Sequence, residues 1–374
     1  MSSQLHVFPL QTLKHRCLAA LKTRSPHISC LAVRDNLLYA AAINEINVFD
    51  LSNHSPVDSF NDDPTSGFVK SIAFNKTKIF TAHQDGKIRI WEITLSKKHQ
   101  LLTTLPTVKD RFLHFILPKN YVNVRRHKKR LWIEHWDTVS GLVILNQKGL
   151  MYSVSWDKSF KIWNVNNRRC LESVKAHEDA VNTLVVSDNG TVYTGSADGL
   201  ISVWERANKE RRHSLVATLD KHKSTVNALA LNADGSVLFS GGCDRSIMVW
   251  EKKGENNAEN DHVGFVEALW GHSGPILCLI NVGDLFVSGS SDRTVRVWQR
   301  GKEGGFHCSI VLEGHEKPVK SLVAVARGVF EGVFTFCSGS LDREIRVWEI
   351  SRCSNLKNKS HEIRILLDGV PKSC

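Results

Sequence analysis

A run of about eighteen apolar residues, the length a bilayer-crossing helix needs, occurs nowhere in this chain of 374 residues. The opening "MSSQLHVFPLQTLKHRCLAAL" places Lys14 and Arg16 inside its only mildly apolar part, unlike the continuous apolar core of a secretory leader. None of the nine cysteines forms a C-x-x-C pair, so neither a disulfide framework nor a zinc site is indicated. The thiols read as reduced, and the expected location is intracellular, in cytoplasm, nucleus or both. Also missing are a P-loop, a G-x-G-x-x-G after a strand and an H-E-x-x-H. No cofactor, metal or catalytic residue is therefore expected. A composition 42% hydrophobic and 23% charged is that of a soluble globular protein.

What is present is repetition. "TAHQDGKIRIW" ends at Trp91, "SVSWDKSFKIW" at Trp163, "TGSADGLISVW" at Trp204, "SGGCDRSIMVW" at Trp250, "SGSSDRTVRVW" at Trp298 and "SGSLDREIRVW" at Trp348. A weaker copy, "YAAAINEINVF", ends at Phe49. The later tryptophans stand 41, 46, 48 and 50 residues apart, close to the ~40–45-residue period of a four-stranded propeller blade. Within one copy, "LVV", "TVYTG" and "LISVW" alternate β-branched and apolar residues between the turn formers "SDNG" and "ADG". Such small meanders expose an apolar face and free edges unless copies stack in a ring.

Two positions recur with the aspartate and tryptophan. Four residues before each aspartate stands a hydroxyl: Thr81, Ser153, Thr194, Ser240, Ser288 and Ser338. Upstream, a histidine lies four residues before a β-branched residue in five copies, at His135, His177, His222, His272 and His315. Its distance to the tryptophan is 28, 27, 28, 26 and 33 residues.

On these residues the chain resembles the WD40 repeat family, whose blades carry a hydrogen-bonded tetrad of His, Ser or Thr, Asp and Trp. The resemblance implies an all-β, seven-bladed propeller with five tetrads: His135, Ser153, Asp157 and Trp163; His177, Thr194, Asp198 and Trp204; His222, Ser240, Asp244 and Trp250; His272, Ser288, Asp292 and Trp298; His315, Ser338, Asp342 and Trp348. In each, the aspartate would accept from the histidine, whose other nitrogen would engage the hydroxyl and through it the indole. The first two repeats depart: Thr65 replaces the histidine in the second, and the first offers Arg24, Tyr39, Ile43 and Phe49. Those blades are expected to be held by packing alone and to be softer. A hydrolase triad would need one exposed nucleophile; the same trio repeated five times with a tryptophan argues for structure and against an enzyme.

The ring's closure is also readable. "CLAALKTR", Cys17 to Arg24, falls in register with "CLESVKAH", Cys170 to His177, the outer strand that precedes a tetrad histidine. Residues 16–24 are therefore expected to close the last blade. The whole chain, 1–374, then reads as a single propeller domain, with blades in 27–350, a long basic insert in 92–134 before the third blade, and a tail in 351–374. The insert "LPKNYVNVRRHKKRLWIEHWDTVSGL", with its neighbours "AHQDGKIRIW" and "SWDKSFKIW", is similar to the plant WD40 proteins of the JINGUBANG-like group. That likeness implies a regulatory scaffold.

Partners follow from charge and from the family's top face. A formal charge of +11 favours acidic partners. Carrying over the top-face positions implies partner contacts at Phe68, Lys70, Gln84, Thr138, Ser140, Trp156, Asn182, Asn227, Pro275, Leu277, Ser291, Pro318, Lys320 and Leu341. This surface suits a peptide with apolar anchors and acidic neighbours. The chain would act as a non-enzymatic adaptor, as a monomer or within a hetero-complex. The cluster Arg125, Arg126, Lys128, Lys129 and Arg130 reads as a solvated insert, a nuclear signal or a phosphate contact, and carries the alternative of nucleic-acid binding. The W-D-x-R signature of ubiquitin-ligase substrate receptors is absent.

Overall fold

The computed structural model describes residues 12–352, apart from 77, 95–97, 126–127, 207–211, 253–262, 302–303 and 327–331. Seven four-stranded antiparallel sheets follow one another along the chain. Six are meanders in sequence order, spanning 28–60, 69–105, 139–175, 181–219, 226–269 and 276–312. The seventh joins 319–352 to the strand Leu13–Lys22. These are blades one to seven.

Burial explains the sequence texture of each blade. The second strand of blade five, Val237–Gly242, is buried throughout, whereas its predecessor's outer strand Ser214–Leu219 is largely exposed. A strand covered on both faces reads as a continuous apolar run, and the outermost strand reads as half polar. Every apolar cluster is shared between neighbours. Ile79 and Trp91 of blade two pack with Tyr39 and Val48 of blade one, and Phe336 and Trp348 of blade seven with Val287 and Val297 of blade six. The core is thus a ring of blade-to-blade seams. The recurrent glycine after the hydroxyl residue serves that packing: a Cβ at Gly195 would lie 2.7 Å from Val226 Cγ1, and one at Gly339 2.8 Å from Ile28 Cγ2, both in the next blade.

The ring closes through the N-terminal strand. Leu13–Lys22 runs antiparallel to Glu344–Arg352, with Cys17 opposite Trp348 and Leu21 opposite Ile345. Cys170 and Val174 stand in the same way opposite Trp163 and Phe160, so the register read from "CLESVKAH" is the one adopted. The strand occupies 13–22 in place of the expected 16–24, and Thr23 N–H continues the ladder to Arg343 O at 3.1 Å. Leu21 sits in the cluster of Ile28, Leu31, Phe49 and Ile345 that joins blade seven to blade one. The last strand reaches Arg352; the tail from 353, including "HEIRILLDG", lies outside the described residues.

The stretch 92–134 divides. His99–Leu105 is the outer strand of blade two. Beyond it come the helix Val108–Phe115, a 3-10 turn Pro118–Asn120 and a hairpin of Tyr121–Arg125 with Lys128–Leu131.

Placing a carboxylate at Leu21 puts an unpaired charge into the closing seam, so Leu21→Asp is expected to cost about 3 kcal/mol or more in denaturant unfolding. Arg16→Ala, on the exposed face of the same strand, should stay within about 0.5 kcal/mol. An unchanged midpoint for Leu21→Asp would show that the strand does not seal the ring.

Candidate functional site

All five quartets form. In blade three, His135 Nδ1 lies 2.7 Å from Asp157 Oδ2 and Nε2 2.8 Å from Ser153 Oγ, while Trp163 Nε1 is 2.9 Å from the same Oγ. The corresponding distances in blade four are 3.0, 2.9 and 3.2 Å to Asp198 and Thr194. In blade five they are 2.9, 2.8 and 2.9 Å, in blade six 2.8, 2.8 and 2.8 Å, and in blade seven 3.0, 2.8 and 2.8 Å. Direction follows from chemistry. An indole N–H only donates and a carboxylate only accepts, so the hydroxyl accepts from tryptophan, donates to Nε2, and the histidine gives Nδ1–H to the aspartate.

Each aspartate also gathers the backbone. Its Oδ2 accepts the N–H of the residue after the histidine, as Trp136 to Asp157 at 3.2 Å and Glu178 to Asp198 at 3.2 Å. Its Oδ1 accepts the N–H two residues on, as Ser159 to Asp157 at 3.0 Å. One side chain therefore binds the inter-blade loop to the turn.

Ionisation fits this chain. Burial pushes His135, His177 and His315 below the ordinary histidine value, against the pull of their aspartates. Burial alone would raise Asp157, but His135 and Lys161 hold it at about 2. The pair is thus neutral imidazole beside carboxylate. The hydroxyls Ser153, Thr194, Ser240, Ser288 and Ser338 are 0% exposed, so no substrate carbonyl reaches them and a nucleophilic triad is excluded at these positions. His315, Asp342 and Glu344 bring ligand atoms within 4.8 Å of one another. Both nitrogens of His315 are spent in the quartet, and Glu344 pairs with Arg346 at 3.0 Å and Lys22 at 3.3 Å.

Blade two corrects the expectation of packing alone. His83, two residues before Asp85 on the strand itself, sets Nε2 2.6 Å from Thr81 Oγ1, and Trp91 Nε1 donates to that oxygen at 2.9 Å. A histidine reaches the hydroxyl from a different place in the chain. Asp85 is freed by this and takes Arg89 at 3.2 and 2.9 Å. His83 Nδ1 is left buried without a partner, and burial pushes its pKa down to about 3.

Among the described residues blade one forms no such network, and its register differs from the expectation. Ala40, not Tyr39, stands opposite Leu31 where Thr81 stands opposite Ile72. The hairpin at Ile43 and Asn44 pairs Ala42 with Glu45 and is one residue shorter than the turn of blade two, which shifts the count back from Phe49. An apolar Ala40 and Phe49 then pack with Leu31, Leu38 and Ile345.

On the top rim the expected partner residues separate into two groups. Ser140, Asn182 and Asn227 donate to the backbone oxygens of Val181, Val226 and Ile276 in the next blade, the last two at 3.1 and 2.9 Å. These side chains are spent on closing the ring. Thr138 is buried and donates to Gln84 O at 3.4 Å. Phe68, Lys70 and Trp156 come together instead: Lys70 Nζ is 5.1 Å from the Phe68 ring centroid and 5.2 Å from that of Trp156. Gln84 fixes this corner, accepting from Phe68 N–H at 3.1 Å and returning its own N–H to Phe68 O at 2.9 Å. Burial, then the charge of Lys320, lowers the pKa of Lys70, and among the described residues Lys70 has no carboxylate partner. Lys320 is exposed, and Pro275, Leu277, Ser291, Pro318 and Leu341 are half-buried around the same rim. In the basic cluster, Arg126 lies outside the described residues, as do the side chains of Arg125 and Lys128. Lys129 is exposed and Arg130 lies 3.7 Å from Glu134.

A family model described as WD domain, G-beta repeat matches residues 168–205, 213–251, 264–299 and 306–349. Each matched stretch begins at the outer strand of one blade and runs through the tryptophan of the next. The chain is 27% identical over 131 residues to an uncharacterized WD repeat-containing protein of Schizosaccharomyces pombe, covering 35% of this chain and 34% of that protein. It is 28% identical over 143 residues to pre-mRNA-processing factor 19 of Bos taurus and of Mus musculus, 38% of this chain and 26% of each relative. The chain thus spans about a third or less of the curated relatives it matches.

Removing the hydroxyl in Ser153→Ala strands the Trp163 indole and the His135 ring nitrogen, so urea unfolding should show a loss of about 2–4 kcal/mol. A loss under about 0.5 kcal/mol would mean the quartet carries no stability. The lowered histidines favour the neutral form on folding, so their contribution is complete above the ordinary value of 6.5 and is lost as pH falls toward the folded values. Asp157 adds a further loss below 3.8. Thermal melts should be flat from mildly alkaline pH to about 6.5 and fall steadily below it; a midpoint that rises on acidification contradicts this assignment.

Proposed function

We propose that this chain, which carries WD40 repeats and folds as a seven-bladed propeller, is a non-enzymatic scaffold that holds partner peptides on the top rim around Lys70. WD40 propellers serve generally as protein-interaction scaffolds, and the five buried quartets leave their serines and threonines no access to a substrate. The observation that carries the finer reading is Lys70, a half-buried ammonium between Phe68 and Trp156 that has no carboxylate partner among the described residues. An acidic side chain flanked by an apolar anchor supplies both the missing charge and a partner for the two rings. Lys320 extends the positive potential along the rim, and Leu277 and Leu341 extend the apolar part.

Among the described residues, Cys17, Cys30, Cys170, Cys243, Cys278 and Cys308 are free thiols, which supports a reducing intracellular location. No described helix is long and apolar enough to cross a membrane. A regulatory role and the JINGUBANG-like plant group rest on the insert sequence alone. Nucleic-acid binding through the basic insert is the competing reading, and it is weakened at Arg130 by Glu134.

The test compares proteins co-purified with wild type, with Phe68→Ala/Trp156→Ala, with Lys70→Glu and with Lys129→Glu, all at matched thermal stability. The two rim variants should each weaken the principal partner at least about tenfold, whereas Lys129→Glu should keep it. Because apolar contact supplies much of the affinity, the complex should lose little between low and moderate salt. A steep salt dependence with loss on Lys129→Glu alone would transfer the function to the insert.

A further inference from the structure

The insert holds an apolar surface that neither the quartets nor the top rim uses. The helix Val108–Phe115 and the residues that follow expose Val108, Phe112, Leu113, Phe115, Ile116 and Leu117, with Val108 at 85% and Phe112 and Ile116 at 68%. Single exposed apolar side chains are ordinary, but Val108, Phe112 and Phe115 line one concavity, and grouped apolar exposure marks an interaction site. Between the helix and the hairpin the surface is concave: a cavity of about 490 Å³ lies among Val108, Phe112, Phe115, Tyr121 and Leu131.

This groove is built rather than accidental. Thr107 caps the helix, accepting Asp110 N–H at 3.1 Å. At the other end Tyr121 donates its hydroxyl to Phe115 O at 3.1 Å and Asn120 its amide to His114 O at 3.0 Å. Arg111 ties the helix to Glu134 at 2.9 Å. The hairpin side is pinned to blade three by Lys161, 3% exposed, whose Nζ donates to Trp132 O and Ser173 Oγ, both at 2.6 Å.

Charge selects the occupant. The wall carries Arg111, Lys129 and Arg130 against the single carboxylate of Glu134, and Lys109 and Lys119 are exposed nearby. Glu134 answers the two arginines, and among the described residues Lys129 has no carboxylate partner. We propose that this groove is a second docking site, which takes an acidic peptide segment of a partner protein through one or two apolar anchors. The apolar walls are Val108, Phe112, Phe115, Tyr121 and Leu131, and the carboxylate of Glu134 sits among them, where it would repel a phosphate backbone; this favours a peptide. The concavity favours a segment that enters over a flat lipid surface. The inference does not rest on the top-rim reading and can fail separately.

The experiment selects random linear peptides displayed on phage against the full chain, then measures the enriched peptides with wild type, Phe112→Ala, Lys129→Glu and Phe68→Ala/Trp156→Ala. Phe112 and Lys129 are exposed, so these variants should melt at the wild-type temperature, and circular dichroism checks that. The expected result is a consensus of acidic residues around Phe, Trp or Leu, weakened at least about tenfold by Phe112→Ala and by Lys129→Glu and unaffected by the rim variant. The proposal is overturned if no such consensus emerges or if binding ignores Phe112→Ala. It is equally overturned if Phe112-dependent binding goes to poly(U) RNA or phosphatidylserine vesicles in place of peptides, or if the chain self-associates through this face.

Discussion

A one-way chain of hydrogen bonds, from indole to hydroxyl to imidazole to carboxylate, is the constraint on which the rest of the molecule depends. Its two ends have fixed polarity, so the links between them have only one arrangement. Burial then makes each link necessary, since a missing one leaves a donor or acceptor with no water to turn to. The carboxylate also holds backbone N–H groups of the loop and of the turn, and the rim inherits its shape from this. Trp156 immediately precedes Asp157, and its own N–H is held by Thr138 O at 3.0 Å. An exposed aromatic side chain thereby stands on a backbone that has little freedom.

Much of this was legible because a repeat is its own alignment. Asp157, Asp198, Asp244, Asp292 and Asp342 recur at fixed offsets from hydroxyl and tryptophan, and those offsets reflect two paired strands and one turn. The seam was legible for the same reason, since Cys17 and Leu21 repeat the spacing of Cys170 and Val174. Counting failed where a turn changed length: the shorter hairpin at Ile43 moves Ala40 into the place assigned to Tyr39. It failed again where one residue type arrived by another route. His83 stands two before the aspartate, where other copies carry Ser155, Ser196, Ser290 and Ser340, and from that position a histidine still reaches Thr81.

The rim was less legible, because spacing locates a residue without saying what its side chain does. Ser140, Asn182 and Asn227 occupy equivalent bulge positions and bond to the next blade's backbone, whereas Lys70 at the same position turns toward two rings. The insert was the least legible. In "VKDRFLHF" Val108, Phe112 and Phe115 recur at helical spacing and share one face, but three positions in an eight-residue helix are a weak periodic signal beside the basic run that follows. Both surfaces with unanswered positive charge belong to blades two and three, Lys70 on the rim and Lys129 on the insert between them.

The polarity of the quartets is the central claim, and the ring nitrogens of the five histidines report it directly. In a 15N spectrum of the folded protein at neutral pH, His135, His177, His222, His272 and His315 should each show a protonated Nδ1 and an unprotonated Nε2. Imidazolium signals from these residues, or protons on Nε2, would mean that the hydrogen-bonded chain does not run from indole to carboxylate and that the account built on it is wrong.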